Sequence, residues 1–550
     1  MKKKTIQNQF IRDNFIEKIE NTSEIWDIII IGGGATGLGV ALDAASRGFR
    51  TLLLELADFS SGTSSRSTKL AHGGVRYLAQ GNLSLVNEAL FERGLMLKNA
   101  PHLVRMLPFI IPGYRWWEKY FFGIGLKIYD WMARKLRVGK TVLLSSQEVK
   151  NFMPNLRSKG LKGGVLYFDG QFDDSRLAIN IAQTCAEKGG VLINYMKVKS
   201  FRKNKEGLIC GVCVEDTING KEYSLDSKVV VNATGVFTDD ILEMNSAIKS
   251  SLVKASQGIH LVVNKSFFKG NHALMIPSTS DGRVLFALPW HGHLLVGTTD
   301  TPMEHHSLEP VALESEISFV LKNLSVYLDR KLTRKDVLSV FAGLRPLVTP
   351  SKEKGTKEIS RDHKLMTSTS QLITITGGKW TTYRRMAEDT INEAIKIGAL
   401  EDRKCRTTNL KIHGYLKPKK QYNHFDIYGS DARKIKDLAA KKPLWNEKLH
   451  PEFPNIKAEV VWIVRNEMAL TIEDVLGRRL RILFINAKAA IEMAPEVVVL
   501  MAEELKMDSI WQTQQLQKFI STAQNYLTEP YFPTLKNLDI SKTTNPKLKI

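Results

Sequence analysis

Trp26-Asp27-Ile28-Ile29-Ile30-Ile31-Gly32-Gly33-Gly34-Ala35-Thr36-Gly37, followed by an Ala- and Leu-bearing run over 38–47, Gly48, and then Thr51-Leu52-Leu53-Leu54-Glu55, is the stretch that decides the fold. The run from Trp26 to Ile31 is apolar enough for a strand buried on both faces and too short for a typical helix. The glycines end it, residues 38–47 read as a helix, and the second apolar run reads as a neighbouring parallel strand that ends on an acid. Gly32 permits the tight turn, Gly34 lets the backbone approach a pyrophosphate, and Gly37 lets helix and strand pack closely. The unpaired N–H groups at the helix start, around Ala35 and Thr36, suit phosphates, and Glu55 is placed to bind a ribose hydroxyl. A lone glycine pattern is weak; here strand, helix, second strand and acid all flank it. The stretch predicts a dinucleotide site.

Working outward, 550 residues exceed one ordinary core, and two or three domains are expected. The 43% hydrophobic and 25% charged content is that of a soluble globular protein. No apolar run reaches about 18 residues, so no spanning helix is expected. The basic Met1-Lys2-Lys3-Lys4 start lacks the apolar core of a secretory signal. Four cysteines fit a reducing cytoplasm better than a disulfide framework. Cys210 and Cys213 form a C-x-x-C, but in a strand-like stretch their odd offset sends them to opposite faces, so neither a redox nor a metal role is expected.

The net charge of +21 is the unusual bulk feature. It could serve nucleic acid, an anionic membrane surface or anionic substrates. The lysines are scattered and no nucleic-acid motif accompanies them, so nucleic acid is not expected. Tyr114-Arg115-Trp116-Trp117-Glu118-Lys119-Tyr120-Phe121-Phe122, followed by Trp131, Arg134, Lys135, Arg137 and Lys140, interleaves rings with cations as a lipid headgroup boundary requires. Core beneath a loop is the other reading of the same rings.

In chain order, residues 1–24 read as a polar extension holding one short helix. After Glu55 a run dense in hydroxyls and glycines contains Thr63, Ser64, Ser65, Ser67, Lys69, His72, Gly73, Gly74, Arg76 and Tyr77. It follows the second strand, where such sheets bind ligands. Helices are expected over 82–99 and 174–188, and strands over 191–195 and 208–214. The strand Val229-Val230-Val231 leads into Ala233-Thr234-Gly235. Short strands over 260–263, 273–276, 284–288 and 293–296 read as an inserted, mostly antiparallel sheet. A later strand over 339–344 delivers Arg345. The strand over 372–376 runs through Gly377-Gly378-Lys379-Trp380-Thr381-Thr382 into a helix ending near Ile397. Beyond residue 399 a basic linker precedes a helical domain, in which Thr471 and Asp474 form a variant capping box. The tail after Glu529 reads as polar and loose.

The chain resembles the FAD-dependent glycerol-3-phosphate dehydrogenases, respiratory flavoenzymes of the D-amino-acid-oxidase-like group. The carriers are the Gly32–Gly37 turn with Glu55, residues 67–78 with Lys-x-x-His-Gly-Gly-x-Arg-Tyr, Ala233-Thr234-Gly235, Gly297-Thr298-Thr299-Asp300, Gly343-Leu344-Arg345-Pro346-Leu347, Ser360-Arg361-Asp362, and residues 377–384. Where this family usually has Leu after Gly-Gly-Lys, the chain has Trp380. The resemblance implies an α/β fold: a Rossmann-like FAD-binding domain with an inserted, mostly antiparallel substrate-domain sheet, plus a helical C-terminal domain. The boundaries are then 1–24 for the extension and 25–400 for the oxidoreductase region. Within the latter, FAD-binding segments of about 25–105, 165–255 and 365–400 alternate with substrate segments of about 106–164 and 256–364. The helical domain takes 401–550.

The resemblance further implies oxidation of sn-glycerol 3-phosphate to dihydroxyacetone phosphate, by hydride transfer from C2 to the flavin and electron transfer to a quinone. The flavin performs the redox work. Arg345 and Arg361 offer fork-shaped donors to the phosphate, with Arg76, Tyr77 and Lys379 as further candidates and Thr381 beside them. His260 and His72 are both placed by the motifs to act as the base, His260 being the better placed for substrate and His72 for cofactor. Lys379 could instead steady negative charge near the flavin. A quinone lives in the bilayer, so peripheral attachment to the cytoplasmic face of the inner membrane is expected. A homodimer is compatible with this reading. The rival readings are a glycerol-3-phosphate oxidase using oxygen, an amine or amino-acid oxidase of the same fold, and a non-catalytic flavin-bearing nucleic-acid binder.

Overall fold

Four isoleucines, Ile28 to Ile31, form the middle of a parallel sheet and are at most 5% exposed. In this computed structural model, which describes residues 10–21, 24–74, 82–246, 251–348, 363–417 and 423–531, strand Trp26–Ile31 pairs on one side with Thr51–Leu54 and on the other with Glu222–Asn232. Val191–Ile193 and Leu372–Gly377 extend the parallel set, and His363–Thr367 closes one edge antiparallel. Helix Ala35–Ser46 lies against this sheet, with Asp174–Glu187 and Tyr383–Ile397 packed on the helix. Strand order places the glycine turn after Ile31 beside Ala233 and Thr234, so two expected ligand loops meet at one sheet end.

The second sheet is built round Val253–Asn264. It pairs antiparallel with Val337–Val348 on one side and His293–Gly297 on the other, and the sheet continues through Leu285–Trp290 and Ala273–Ile276. Beyond these the sheet takes in Val104–Gly113, through the parallel pair it makes with Ala273–Ile276, then Gly163–Phe172 and finally Leu70–Ala71. Residues 70–71, 104–105 and 165–172, expected within the FAD-binding segments, pair in this second sheet. Their partners lie far along the chain, and no local pattern states which sheet a strand joins.

The N-terminal segment is more than a polar lead. Helix Arg12–Glu20 buries Phe15 and Ile19, Phe10 packs on Phe59, and Arg12 Nη2 meets Asp216 Oδ1 at 2.8 Å. All four cysteines are free thiols.

The C-terminal region is helical as expected, and Thr471 and Asp474 do cap reciprocally: Thr471 Oγ1 donates to Asp474 Oδ1 at 2.8 Å, and Asp474 N–H donates to Thr471 Oγ1 at 3.2 Å. The turn that follows, Asp474–Arg479, is π-helical. It aims Arg478 and Arg479 at Asp58, just past Glu55: Arg478 Nε lies 2.6 Å from Oδ2 and Arg479 Nη2 2.9 Å from Oδ1. Arg176 and Glu467 add a second buried two-pronged pair at 2.5 and 2.9 Å.

A third tie is a histidine. His413 bridges Glu187 Oε1 (2.5 Å) and Asp431 Oδ2 (2.6 Å). Burial lowers its pKa, but the bonds to Asp431 and Glu187 overcome this and raise it to about 9. A raised folded-state pKa stabilises fully below the unfolded value of about 6.5, and that share is lost as pH rises through about 9. Melting temperature measured from pH 6 to 10 should therefore fall, and His413→Gln should flatten that part of the curve. An unchanged slope in the variant would remove His413 from the account.

Candidate active site

Both sheets face a cavity of about 600 Å³. One end is the glycine turn. Gly32 has φ +108°, open to few residues but glycine, and a Cβ at Gly37 would lie 1.9 Å from the carbonyl oxygen of Gly32. Ser64 Oγ accepts from the Ala35 N–H at 2.8 Å, holding the hydroxyl-rich loop over the helix start. The expected contacts Gly32, Gly34, Ala35, Thr36, Glu55, Thr63, Ser64, Ser67, Ala233, Thr234 and Gly235 all line the cavity. Glu55 also accepts from the N–H groups of Gly33 (2.5 Å) and Ala57 (2.9 Å), which secures the turn. Burial pushes its pKa up and these two bonds oppose it.

The same cavity collects the expected chemical groups: His260, Arg345, His72, Gly74, Gly378, Lys379 and Thr381 line it. His260 projects from strand Val253–Asn264, stacked on Phe341 with centroids 5.1 Å apart. Its Nε2 is 2.9 Å from Thr68 Oγ1, and its buried Nδ1 has no hydrogen-bond partner among the described residues. Burial holds the ring well below its ordinary pKa, with Lys69 and Arg345 acting the same way, so it is a neutral imidazole. The partner strand Val337–Val348 presents Arg345, whose Nη2 donates to Thr298 Oγ1 at 3.1 Å and whose Nη1 lies 3.6 Å from Asp300. Gly258 leaves room for it: a Cβ there would meet the guanidinium at 2.3 Å and displace it from this position. Lys379 follows Gly377 and Gly378, both at positive φ. The Trp380 N–H donates to Ser64 O at 2.8 Å, tying this turn to the hydroxyl loop.

Five expected cofactor contacts are absent from the cavity wall. Gly37 serves helix–strand packing behind it. Ser65, Lys69 and Thr382 are buried, and the Gly73 N–H turns away to Tyr129. Lys69 is corrected most sharply: its ammonium, fully enclosed, bonds Ser65 O and Asp174 Oδ2, both at 2.7 Å. Burial lowers its pKa to about 7 against the pull of Asp174. Arg76, Tyr77 and Arg361 lie outside the described residues. Sequence reasoning missed Thr68, which sits in a motif already singled out. It also missed the apolar wall of Phe109, Tyr167, Met275 and Phe286, which a strand-face reading of the second sheet could have found.

Residues 27–384 match the family described as FAD dependent oxidoreductase, and residues 368–512 match the C-terminal domain of alpha-glycerophosphate oxidase. Fold and site together thus define a flavin-dependent oxidoreductase. Mitochondrial glycerol-3-phosphate dehydrogenase of Bos taurus is 40% identical over 94% of this chain and 75% of its own length, and that of Homo sapiens 40% over 92% and 74%. The glycerol-3-phosphate dehydrogenase of Bacillus halodurans, solved with FAD, superposes with a TM-score of 0.76 at 29% identity, over 95% of this chain and 99% of that one. The chain belongs to the FAD-dependent glycerol-3-phosphate dehydrogenase family. Its cofactor is FAD, and the site fits one: the turn closes to any side chain at Gly37, and the helix start at Gly34–Thr36 opens on the cavity beside Ser64.

Proposed function

We propose that this chain oxidises sn-glycerol 3-phosphate to dihydroxyacetone phosphate and passes the electrons to a quinone. The observation that carries the reading is that Arg345, Lys379 and neutral His260 line the same cavity as the glycine turn, with Arg345 close enough to His260 to depress its pKa. FAD, when bound, supplies the acceptor for the C2 hydride. Arg345 offers forked donors to a phosphate dianion. His260 is neutral and can take the C2 hydroxyl proton. A dianion on Arg345 cancels one of the cationic charges that depress His260, so bound substrate makes the ring a better proton acceptor. The anaerobic test is direct: sn-glycerol 3-phosphate should bleach the yellow protein, and colour that persists sinks the reading. Arg345→Gln should raise KM for the substrate by about tenfold to a hundredfold, the scale of a lost hydrogen bond to a charged group. Steady-state kinetics checks it.

A lipid-soluble acceptor calls for a lipid-facing surface, and helix Glu118–Met132 supports one on the cytoplasmic face of the inner membrane. Trp116 is 74% exposed, Phe121 63%, Ile124 64% and Trp131 78%, joined by Trp117 and Ile128. Rings spaced along one side of a helix, among Arg115, Lys119 and Lys127, suit a headgroup boundary. Among the described residues no helix is long and apolar enough to cross a membrane. The protein should float with anionic vesicles at low and moderate salt, and the Trp116→Ser, Trp131→Ser double variant should stay at the bottom. Equal flotation of both would remove this face from the account.

A further inference from the structure

The inner side of that same helix touches residues beside the cavity through Tyr129. Tyr129 is 1% exposed. Its Oη accepts the Gly73 N–H at 2.7 Å and donates to Asp169, 2.9 Å from Oδ2. Asp169, on strand Gly163–Phe172, is fixed from its other side by Arg93 Nη1 at 2.7 Å, from helix Leu83–Asn99. A Cβ on Gly73 would come within 2.7 Å of both the Tyr129 hydroxyl and Leu90, so the glycine is what allows the approach. Its neighbours His72 and Gly74 line the cavity, as does Asp169, and the His72 N–H donates to Thr381 Oγ1 at 3.3 Å, two residues past Lys379.

A buried amide needs an acceptor, and a phenol can accept from it while donating onward. Burial, with Asp169 beside it, keeps this phenol protonated, so both bonds stand together. Phenylalanine fills the same space and can make neither.

We propose that Tyr129 is a positioning residue for the reaction. Its hydroxyl fixes the Gly73 amide, and with it the backbone of His72 and Gly74, which line the cavity together with His260 and Lys379, from a helix whose outer side carries the exposed rings. The proposal rests on reading that cavity as an FAD-dependent oxidation site. Tyr129→Phe is the test, with Leu126→Ala as the control: Leu126 is as buried on the same helix but has no polar atom. With a soluble acceptor, Tyr129→Phe should lower kcat/KM for sn-glycerol 3-phosphate about tenfold, the scale of one buried amide left unpaired. It should also speed hydrogen exchange in the peptide carrying Gly73 and change the visible circular dichroism of the flavin. Leu126→Ala should lower the melting temperature at least as much while leaving exchange, dichroism and kcat near wild type. Wild-type exchange and dichroism in Tyr129→Phe, or the same losses in both variants, would overturn the proposal. If sn-glycerol 3-phosphate fails to bleach even the wild-type flavin, the functional reading falls, while exchange and dichroism still judge Tyr129.

Discussion

Gly37→Ala is expected to emerge from purification colourless. The added methyl would sit 1.9 Å from the carbonyl oxygen of Gly32 and 3.0 Å from its carbonyl carbon, and both are backbone. No rotamer change relieves such an overlap. Either helix Ala35–Ser46 lifts from strand Trp26–Ile31 or the turn at Gly32 moves aside. Overpacking of this kind costs about 1–3 kcal/mol. The displaced backbone is also the cradle for the pyrophosphate, so affinity for FAD should fall by about tenfold to more than a hundredfold. Gly34→Ala is the contrast. Among the described residues its methyl would meet only Ser64 Oγ, at 3.1 Å, so the protein itself is little strained and any loss falls on the approach of the pyrophosphate. Urea unfolding of the two apoproteins would separate them, and flavin content after gel filtration would report the loss in Gly37→Ala. A Gly37→Ala protein as yellow as wild type would show that the turn yields more easily than its backbone contacts imply.

The second large effect concerns what holds the C-terminal domain. Asp58→Ala should destabilise the chain by about 3 kcal/mol, the lower end of the cost of breaking a buried ion pair. Its partners are two buried guanidiniums, Arg478 at 4% exposure and Arg479 at 0%; Arg478 keeps Glu473 and Asp474, and Arg479 keeps Glu467, so neither is left alone. Urea unfolding measures the loss, and limited proteolysis should show the region beyond residue 467 cut first. The effect carries a pH signature. Burial pushes the Asp58 carboxyl up, but Arg479 and Arg478 more than reverse this and leave its pKa lowered. A depressed folded-state pKa gives stability that is present above the unfolded value of about 3.9 and lost as pH falls through the folded one. The gap between wild type and variant should therefore narrow in acid below about pH 4. A gap that stays constant down to acid unfolding would mean Asp58 acts through packing instead.

How far the sequence could be read follows from how far apart the cooperating residues lie. The turn at Gly32, the helix after it, Glu55 and the strand leading to Lys379 were legible because their signals fall within a few tens of residues. His260 and Arg345 were legible as candidates through the family resemblance. Their meeting was not, because it depends on strand Val253–Asn264 pairing with Val337–Val348. Lys69 shows the limit: it sits in a ligand-binding motif, but Asp174, 105 positions on, draws it inward. Glu55 shows a milder case, since the acid expected on a ribose also secures its own turn.

By itself the sequence determined the dinucleotide cradle, the inserted sheet, the helical C-terminal domain and an aromatic stretch rich in cations. These are properties of local periodicity and turn chemistry, which act between near neighbours. Only the tertiary structure decided that those aromatic rings face outward, that Thr68 is the partner of His260, and that Asp58 meets Arg479 421 positions away. Such pairings are chosen by which surfaces the whole chain must bury together, and a buried charge accepts a partner from wherever the fold brings one.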